Sequence, residues 1–305
     1  MTVKQKIKVA VMGCGNIGQY ALSAVNIAED MTLVGVVEQE NCLTNLKRTH
    51  PDLPVVCDIN QLPQKPDVAV LGIPSREVTN IAPRLLAQGI NTVDCFDMHG
   101  EFFIKLKNAL EPIARTNNVA AIMGCGVDPG VSTMIRAIFE LWAATGISYV
   151  TYGPGMSMGH TVAAKSYPGV RDALAITRPG EPGRHKREIY LELEPGASFK
   201  KIKRMIMDDP YFSHDDVRFI EVDKVAPLVD RGHRIHISRK GGASGVDNQQ
   251  LEFETTFHNP ASTAQVLVNA ARAVTTMSPG AYTMLEVPLI SFLNEDTESL
   301  LRRVF

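Results

Sequence analysis

The chain has 305 residues, 45% of them hydrophobic and 21% charged, a globular composition with enough apolar material for two packed domains. Its 31 basic and 33 acidic residues leave a formal net charge of -2 at pH 7, which points away from a nucleic-acid tether or a membrane-surface protein. No apolar run approaches the roughly 18 residues of a membrane span, and the opening MTVKQKIKVAVMG has no signal core. The five cysteines, Cys14, Cys42, Cys57, Cys95 and Cys125, are odd in number with no CxxC pair, so a reduced, cytoplasmic setting is expected.

From the N-terminus, short apolar runs alternate with helical patterns. Strands are expected at Lys8–Met12, Leu33–Val37, Val68–Ile73, Thr92–Cys95 and Val119–Met123, with helices over Asn16–Glu29, Glu77–Ala87 and Phe103–Arg115. Apolar strands alternating with helices imply a parallel sheet covered on both faces. A helical pattern follows at Val131–Trp142. Beyond it, Lys186–Glu194, Arg218–Val225, Arg234–Arg239 and Gln250–Phe257 are longer and more polar, as in an antiparallel sheet with one wet face. Ala261–Thr275 reads as a helix and Asn294–Arg303 as a last short one. The fold class expected is α/β, an N-terminal Rossmann-type parallel sheet followed by an α+β domain. The domains are expected over residues 1–125, 126–260 and 261–305, the last as helices packing back toward the first domain.

Val9–Gly18 reads VAVMGCGNIG, placing GxGxxG on Gly13, Gly15 and Gly18 between a strand and a helix. In that context Gly13 makes the tight turn, Gly15 lets a pyrophosphate approach, and Gly18 allows close helix–strand packing. The dinucleotide site is expected to be lined by Gly13, Gly15, Asn16, Ile17 and Gly18, by Glu38 and Gln39, and by Ile73, Pro74 and Ser75. Glu38 closes the second strand, where an acid accepts the ribose hydroxyls and repels a 2′-phosphate, favouring NAD. Lys47 and Arg48, in the segment after that strand, are candidates for either a phosphate contact or a solvated face. No His, Cys and Asp cluster has metal-ligand spacing, so no metal is expected.

Asp128 lies in MGCGVDPGVST (Met123–Thr133), between an apolar strand and a helix. The residues alone leave two roles open for it: a helix N-cap, or an acid at the carboxyl edge of a parallel sheet, where such sheets bind ligands.

Four further segments carry a resemblance: TVDCFDMHG (Thr92–Gly100), GVDPG (Gly126–Gly130), YGPGMSMGHTVAAKSYPGVRDAL (Tyr152–Leu174) and HKREIYLELEPGA (His185–Ala197). Together they resemble the meso-diaminopimelate dehydrogenase family nearly end to end. The chain length and the DRGH segment (Asp230–His233) look more like its compact subgroup, which also works on simpler D-amino acids. The resemblance implies a homodimer with a Rossmann domain and an α+β substrate-binding and dimerisation domain. It implies oxidation of the D-centre of meso-2,6-diaminopimelate, with NADP, to L-2-amino-6-oxopimelate and ammonia. Carried over residue by residue, it makes Asp97 and Asp128 the acids at the reacting centre, with Met158 and Gly159 in a loop beside it. Thr177, Arg187 and Asn259 become a clamp on the distal end, with Tyr152 and His233 also lining the substrate pocket. Two ammonium and two carboxylate groups on the substrate call for acids and an Arg fork.

Two features depart from the family pattern. Val127 stands where a tryptophan is usual, which bears on substrate range. Glu38 and Gln39 stand where arginine is common, which bears on NAD versus NADP. The alternatives are a broader D-amino-acid dehydrogenase and a catalytically silent dinucleotide-binding regulator; retention of Asp97, Asp128 and Arg187 argues against the latter. His160 is expected to position its loop by hydrogen bonding, and the pairs His185/Lys186 and His214/Asp215 to be solvated polar faces.

Overall fold

The computed structural model describes residues 6–180, 186–213, 215–229 and 232–305. His185, His214, Asp230 and Arg231 therefore lie outside the described residues. The chain forms two units, Met1–Val131 with Pro260–Phe305, and Ser132–Asn259.

The first unit is built on strands β1 (Ile7–Met12), β2 (Met31–Val37), β3 (Val55–Val56), β4 (Val68–Leu71), β5 (Asn91–Asp94) and β6 (Ala120–Met123), with helices α1 (Asn16–Ile27), α2 (Glu40–Thr49), α3 (Ser75–Ala87) and α4 (Glu101–Thr116). Every residue of β4 and of β6 is buried. Runs buried on both faces are what parallel pairing under helices requires. One core is formed by Val78, Ala82, Leu85 and Leu86 of α3 and Leu106, Leu110 and Ala114 of α4, packed with Ala10, Ala69, Leu71, Ala121 and Met123 of the strands. Glu40–Thr49 buries only Leu46. Without an apolar stripe, the sequence offered little signal for that helix.

In the second unit, α5 (Val131–Trp142) leads into β7 (Thr145–Tyr152), β8 (Gly155–Met156), α6 (Met158–Lys165), β9 (Val170–Arg178), β10 (Lys186–Leu193), α7 (Phe199–Met207), β11 (Asp216–Glu221), β12 (Gly232–Ala243) and β13 (Val246–His258). The expected antiparallel sheet is two sheets, β11-β10-β9-β8 and β13-β12-β7. In the first of these β10 and β11 run parallel, because α7 provides a crossover between them. The strand expected over Arg218–Val225 is β11, which ends at Glu221; the Val225 N–H instead donates to Glu192 Oε2 at 3.1 Å.

The chain re-enters the first unit with α8 (Asn259–Val274), then β14 (Gly280–Thr283) and α9 (Thr297–Val304). β14 pairs parallel with β6, giving a seven-stranded order β14-β6-β5-β4-β1-β2-β3. Arg272 of α8 fixes this segment by a bidentate ion pair with Asp30, at 2.5 and 2.8 Å, and a bond to Phe292 O at 3.1 Å. Strand order reverses between β1 and β4, so the crevice at their carboxyl ends is the ligand position of a doubly wound sheet.

Candidate active site

The glycine turn lies in that crevice. Gly13 has φ +81, and a Cβ there would meet Gly72 O at 2.7 Å; a Cβ on Gly18 would lie 1.9 Å from Gly13 O. Both glycines are required by close backbone approach, between turn and helix and between turn and the end of β4. A Cβ at Gly15 would meet nothing within 4 Å, and no side chain caps α1, whose N-cap is Gly15. Open space before an uncapped helix N-terminus fits a dinucleotide pyrophosphate. Asn16 and Ile17 open that helix. Burial, and then Glu38, push the Cys14 thiol up to about 11, so it stays neutral and adds no charge to the phosphate loop.

Glu38 reaches back onto this turn. Its Oε2 accepts the Cys14 N–H at 2.6 Å and its Oε1 accepts the Gln39 N–H at 2.8 Å. Gln39 is the N-cap residue of α2. Lys47 and Arg48 are not in a loop beside the ribose position: they occupy the last turn of α2, and Arg48 Nη2 donates to Asn45 Oδ1 at 3.0 Å. At about 1.5 Å rise per residue they stand roughly 12 Å along the axis from Gln39.

Ile73, Pro74 and Ser75 follow β4, and Ser75 joins the dinucleotide edge to an acid. Its Oγ donates to Asp97 Oδ1 at 2.5 Å, and the Asp97 N–H donates to Ser75 Oγ at 3.1 Å. Asp97 and Asp128 are both half-buried, on loops that follow the neighbouring strands β5 and β6. α5 begins at Val131, so Asp128 stands three residues ahead of the helix, and the residue before its first turn is Gly130.

Asp94, which sequence reasoning passed over, lies under both loops. It is fully buried, and its Oδ1 accepts the Phe96 N–H at 3.0 Å and the Gly124 N–H at 3.1 Å. Burial raises its pKa to about 6 despite those two bonds. The available signal was an acid closing the apolar strand run TVD.

In the second unit Arg187 and Thr177 are cross-strand partners on β10 and β9, and Arg187 Nη1 donates to Thr177 Oγ1 at 2.8 Å. Arg187 Nε donates to Asp215 Oδ2. Asp215 is not on a solvated face: its side chain is 8% exposed, that of Arg187 6%, because the buried guanidinium needs a counter-charge. Lys186 is exposed. His160 Nε2 lies 3.2 Å from Asp215 Oδ2 and 3.2 Å from Tyr211 O, its Nδ1 3.1 Å from Ser157 Oγ, and its ring stacks on Tyr211. That histidine holds its segment in place. Met158 and Gly159 are the first two residues of α6 rather than a loop. Asn259 Nδ2 donates to Met156 O at 3.2 Å. Tyr152 and His233 lie on the other sheet of this unit, the latter buried edge-on to Phe257 at 5.7 Å.

Among the described residues no group of three or more His, Cys, Asp or Glu side chains could hold a metal ion, and no helix is long and apolar enough to cross a membrane.

A Rossmann sheet with a fitted phosphate turn and acids at its carboxyl edge defines an NAD(P)-dependent oxidoreductase. An oxidoreductase family with an NAD-binding Rossmann fold matches residues 7–94. The meso-diaminopimelate D-dehydrogenase of Bacteroides fragilis is 42% identical over 96% of this chain and 97% of its own length. That of Lysinibacillus sphaericus is 30% identical over 92% and 94%. The structure of C. glutamicum DAP dehydrogenase in complex with DAP superposes with a TM-score of 0.86 at 25% identity, over 99% of this chain and 100% of that one. The chain belongs to the meso-diaminopimelate D-dehydrogenase family.

Proposed function

We propose that this protein oxidatively deaminates the D-centre of meso-2,6-diaminopimelate to L-2-amino-6-oxopimelate and ammonia, reversibly, with NAD(P). The observation that carries this reading is the placement of Asp97 and Asp128 on adjacent loops of the edge that bears the dinucleotide turn, with Asp97 bonded to Ser75. The end-to-end likeness to the Bacteroides fragilis enzyme supports the substrate.

With its pyrophosphate at the glycine turn, a bound dinucleotide would supply the hydride acceptor. The substrate ammonium must first lose a proton, since a cationic nitrogen cannot support hydride departure from its carbon. Asp97, Asp128 or a water held by them accepts it. With the lone pair freed, the C–H electron pair leaves as hydride and a C=N bond forms. Water then adds to the imine carbon and ammonia departs. At the distal L-centre, Arg187 with Thr177 receives the carboxylate, and Asn259, His233, Tyr152, Met158 and Gly159 shape the surrounding pocket. Asp215 holds the Arg187 guanidinium in one orientation.

A second reading, a dehydrogenase of broader D-amino-acid range, is favoured by one residue. Val127 removes the indole that the family pattern places beside Asp128, which enlarges the reacting end.

The working form is a homodimer in the cytoplasm. Trp142 at the end of α5, Ile147 of β7 and Val246 of β13 are all exposed, and a second copy would cover apolar groups of this kind. All five cysteines are free thiols, which suits a reducing compartment. Sedimentation of the wild type and of Trp142→Glu tests the dimer. The reaction is tested by incubation with meso-diaminopimelate and dinucleotide: the keto product and an equivalent of ammonia should form, and the LL isomer should be inert.

A further inference from the structure

Ladder pairing between β5 and β6 ends at Val93 opposite Ile122. Beyond that point Asp94 joins the two chains. Asp94 takes the Cys125 N–H on its backbone oxygen at 2.6 Å. Its side-chain Oδ1 takes the Gly124 N–H at 3.1 Å from the opposite loop and the Phe96 N–H at 3.0 Å from its own. Three residues after Asp94 comes Asp97, and four after Gly124 comes Asp128. Asp97 is fixed on its other side by Ser75. The Oδ2 of Asp94 has no hydrogen-bond partner among the described residues, so one oxygen makes both side-chain contacts.

We propose that Asp94 is a positioning residue for the reaction: its Oδ1, bridging the loops after β5 and β6, sets the separation of Asp97 and Asp128. This rests on the reading of those two acids as substrate groups. Asp94 itself is fully buried and touches neither substrate nor dinucleotide. What it contributes is the acceptor geometry. A neutral side chain of the same shape and the same oxygen therefore does the same work, and one without that oxygen does not.

Three variants separate this from a general structural role. Asp94→Asn keeps Oδ1 and fills the space of Oδ2. Asp94→Ser accepts from its own loop but is too short to span to Gly124. Asp94→Leu keeps volume and loses both bonds. Displacing a reacting group by about 1 Å costs on the order of 100-fold in rate, so kcat with meso-diaminopimelate should fall by about that factor in the Ser and Leu variants. Dinucleotide affinity should stay within about twofold, and Asn should hold kcat within about threefold of wild type. Amide exchange at Gly124 should speed up in Ser and Leu but not in Asn.

Three outcomes overturn the proposal: Ser and Leu variants as fast as wild type, an Asn variant as slow as Leu, or dinucleotide affinity falling in step with kcat. If the Leu variant does not fold, the Ser and Asn pair decides alone. Amide exchange needs no substrate, so a wild type inactive on meso-diaminopimelate would sink the substrate assignment while the Gly124 protection still decides the tether.

Discussion

The Glu38 carboxylate accepts the Cys14 N–H at 2.6 Å, tying the end of β2 to the phosphate turn. An acid fixed there repels a 2′-phosphate at about 4 Å by roughly 1–4 kcal/mol, depending on the effective dielectric. Lys47 and Arg48, at the far end of α2, do not offset it. Substantial use of NAD is expected. Glu38→Gln keeps an acceptor for Cys14 and removes the charge, so it should shift the kcat/KM ratio toward NADP by about tenfold or more. A wild type that strongly prefers NADP, unchanged by Glu38→Gln, would place the phosphate away from Glu38.

Asp128→Asn tests the proton acceptor. The amide keeps shape and hydrogen bonding but cannot take a proton, so kcat should fall on the order of 10²–10⁴-fold. The melting temperature should hold, since the amide keeps an acceptor oxygen and still serves as a helix cap. A variant within about threefold of wild type in turnover, but with a lowered melting temperature, would make Asp128 structural.

Arg187 cannot be tested cleanly alone. Removing it takes the guanidinium from Asp215, whose side chain is only 8% exposed, and breaking a buried pair costs about 3–5 kcal/mol. The double variant Arg187→Met/Asp215→Asn removes both charges. It should fold, and should lose roughly 2–5 kcal/mol in kcat/KM for diaminopimelate. D-alanine, with no distal carboxylate, should be far less affected. Equal losses for the two substrates would remove Arg187 from the clamp.

Asp94 carries a signature in stability against pH. Its folded pKa is raised from 3.8 to about 6 by burial, so the folded state holds the proton more tightly than the unfolded one. Its contribution is greatest below the unfolded value and is lost as pH rises through the folded one, a swing of about 3 kcal/mol. Asp94→Asn has no such swing. In urea unfolding its stability relative to wild type should rise by about 1.5 kcal/mol between pH 5 and pH 8. A pH-independent difference would contradict the buried, titrating carboxyl.

The parallel strands, the glycine turn and α5 were legible because buried apolar runs and a GxGxxG between strand and helix leave few alternatives. Elements that owe their form to distant partners were not. β14 is four residues, GAYT, with no period of its own, and exists as a strand because β6 offers an edge. α6 begins Met-Gly-His-Thr, in which Gly, His and Thr are weak helix formers, so the segment read as loop. Among site residues, Asp97 and Asp128 were found from motif position and sheet edge. Asp94 and Asp215 were not, because a buried acid is recognised by what surrounds it, and those surroundings come from other strands. Asp215 is defined by Arg187, and Asp94 by the Gly124 amide.

The most direct measurement is the initial rate of pyridine-nucleotide reduction with meso-diaminopimelate, D-lysine and D-alanine, each with NAD and with NADP. The account predicts the highest kcat/KM with meso-diaminopimelate, formation of ammonia, and turnover with both cofactors. No reduction with meso-diaminopimelate under either cofactor, alongside rapid reduction with D-alanine, would contradict it.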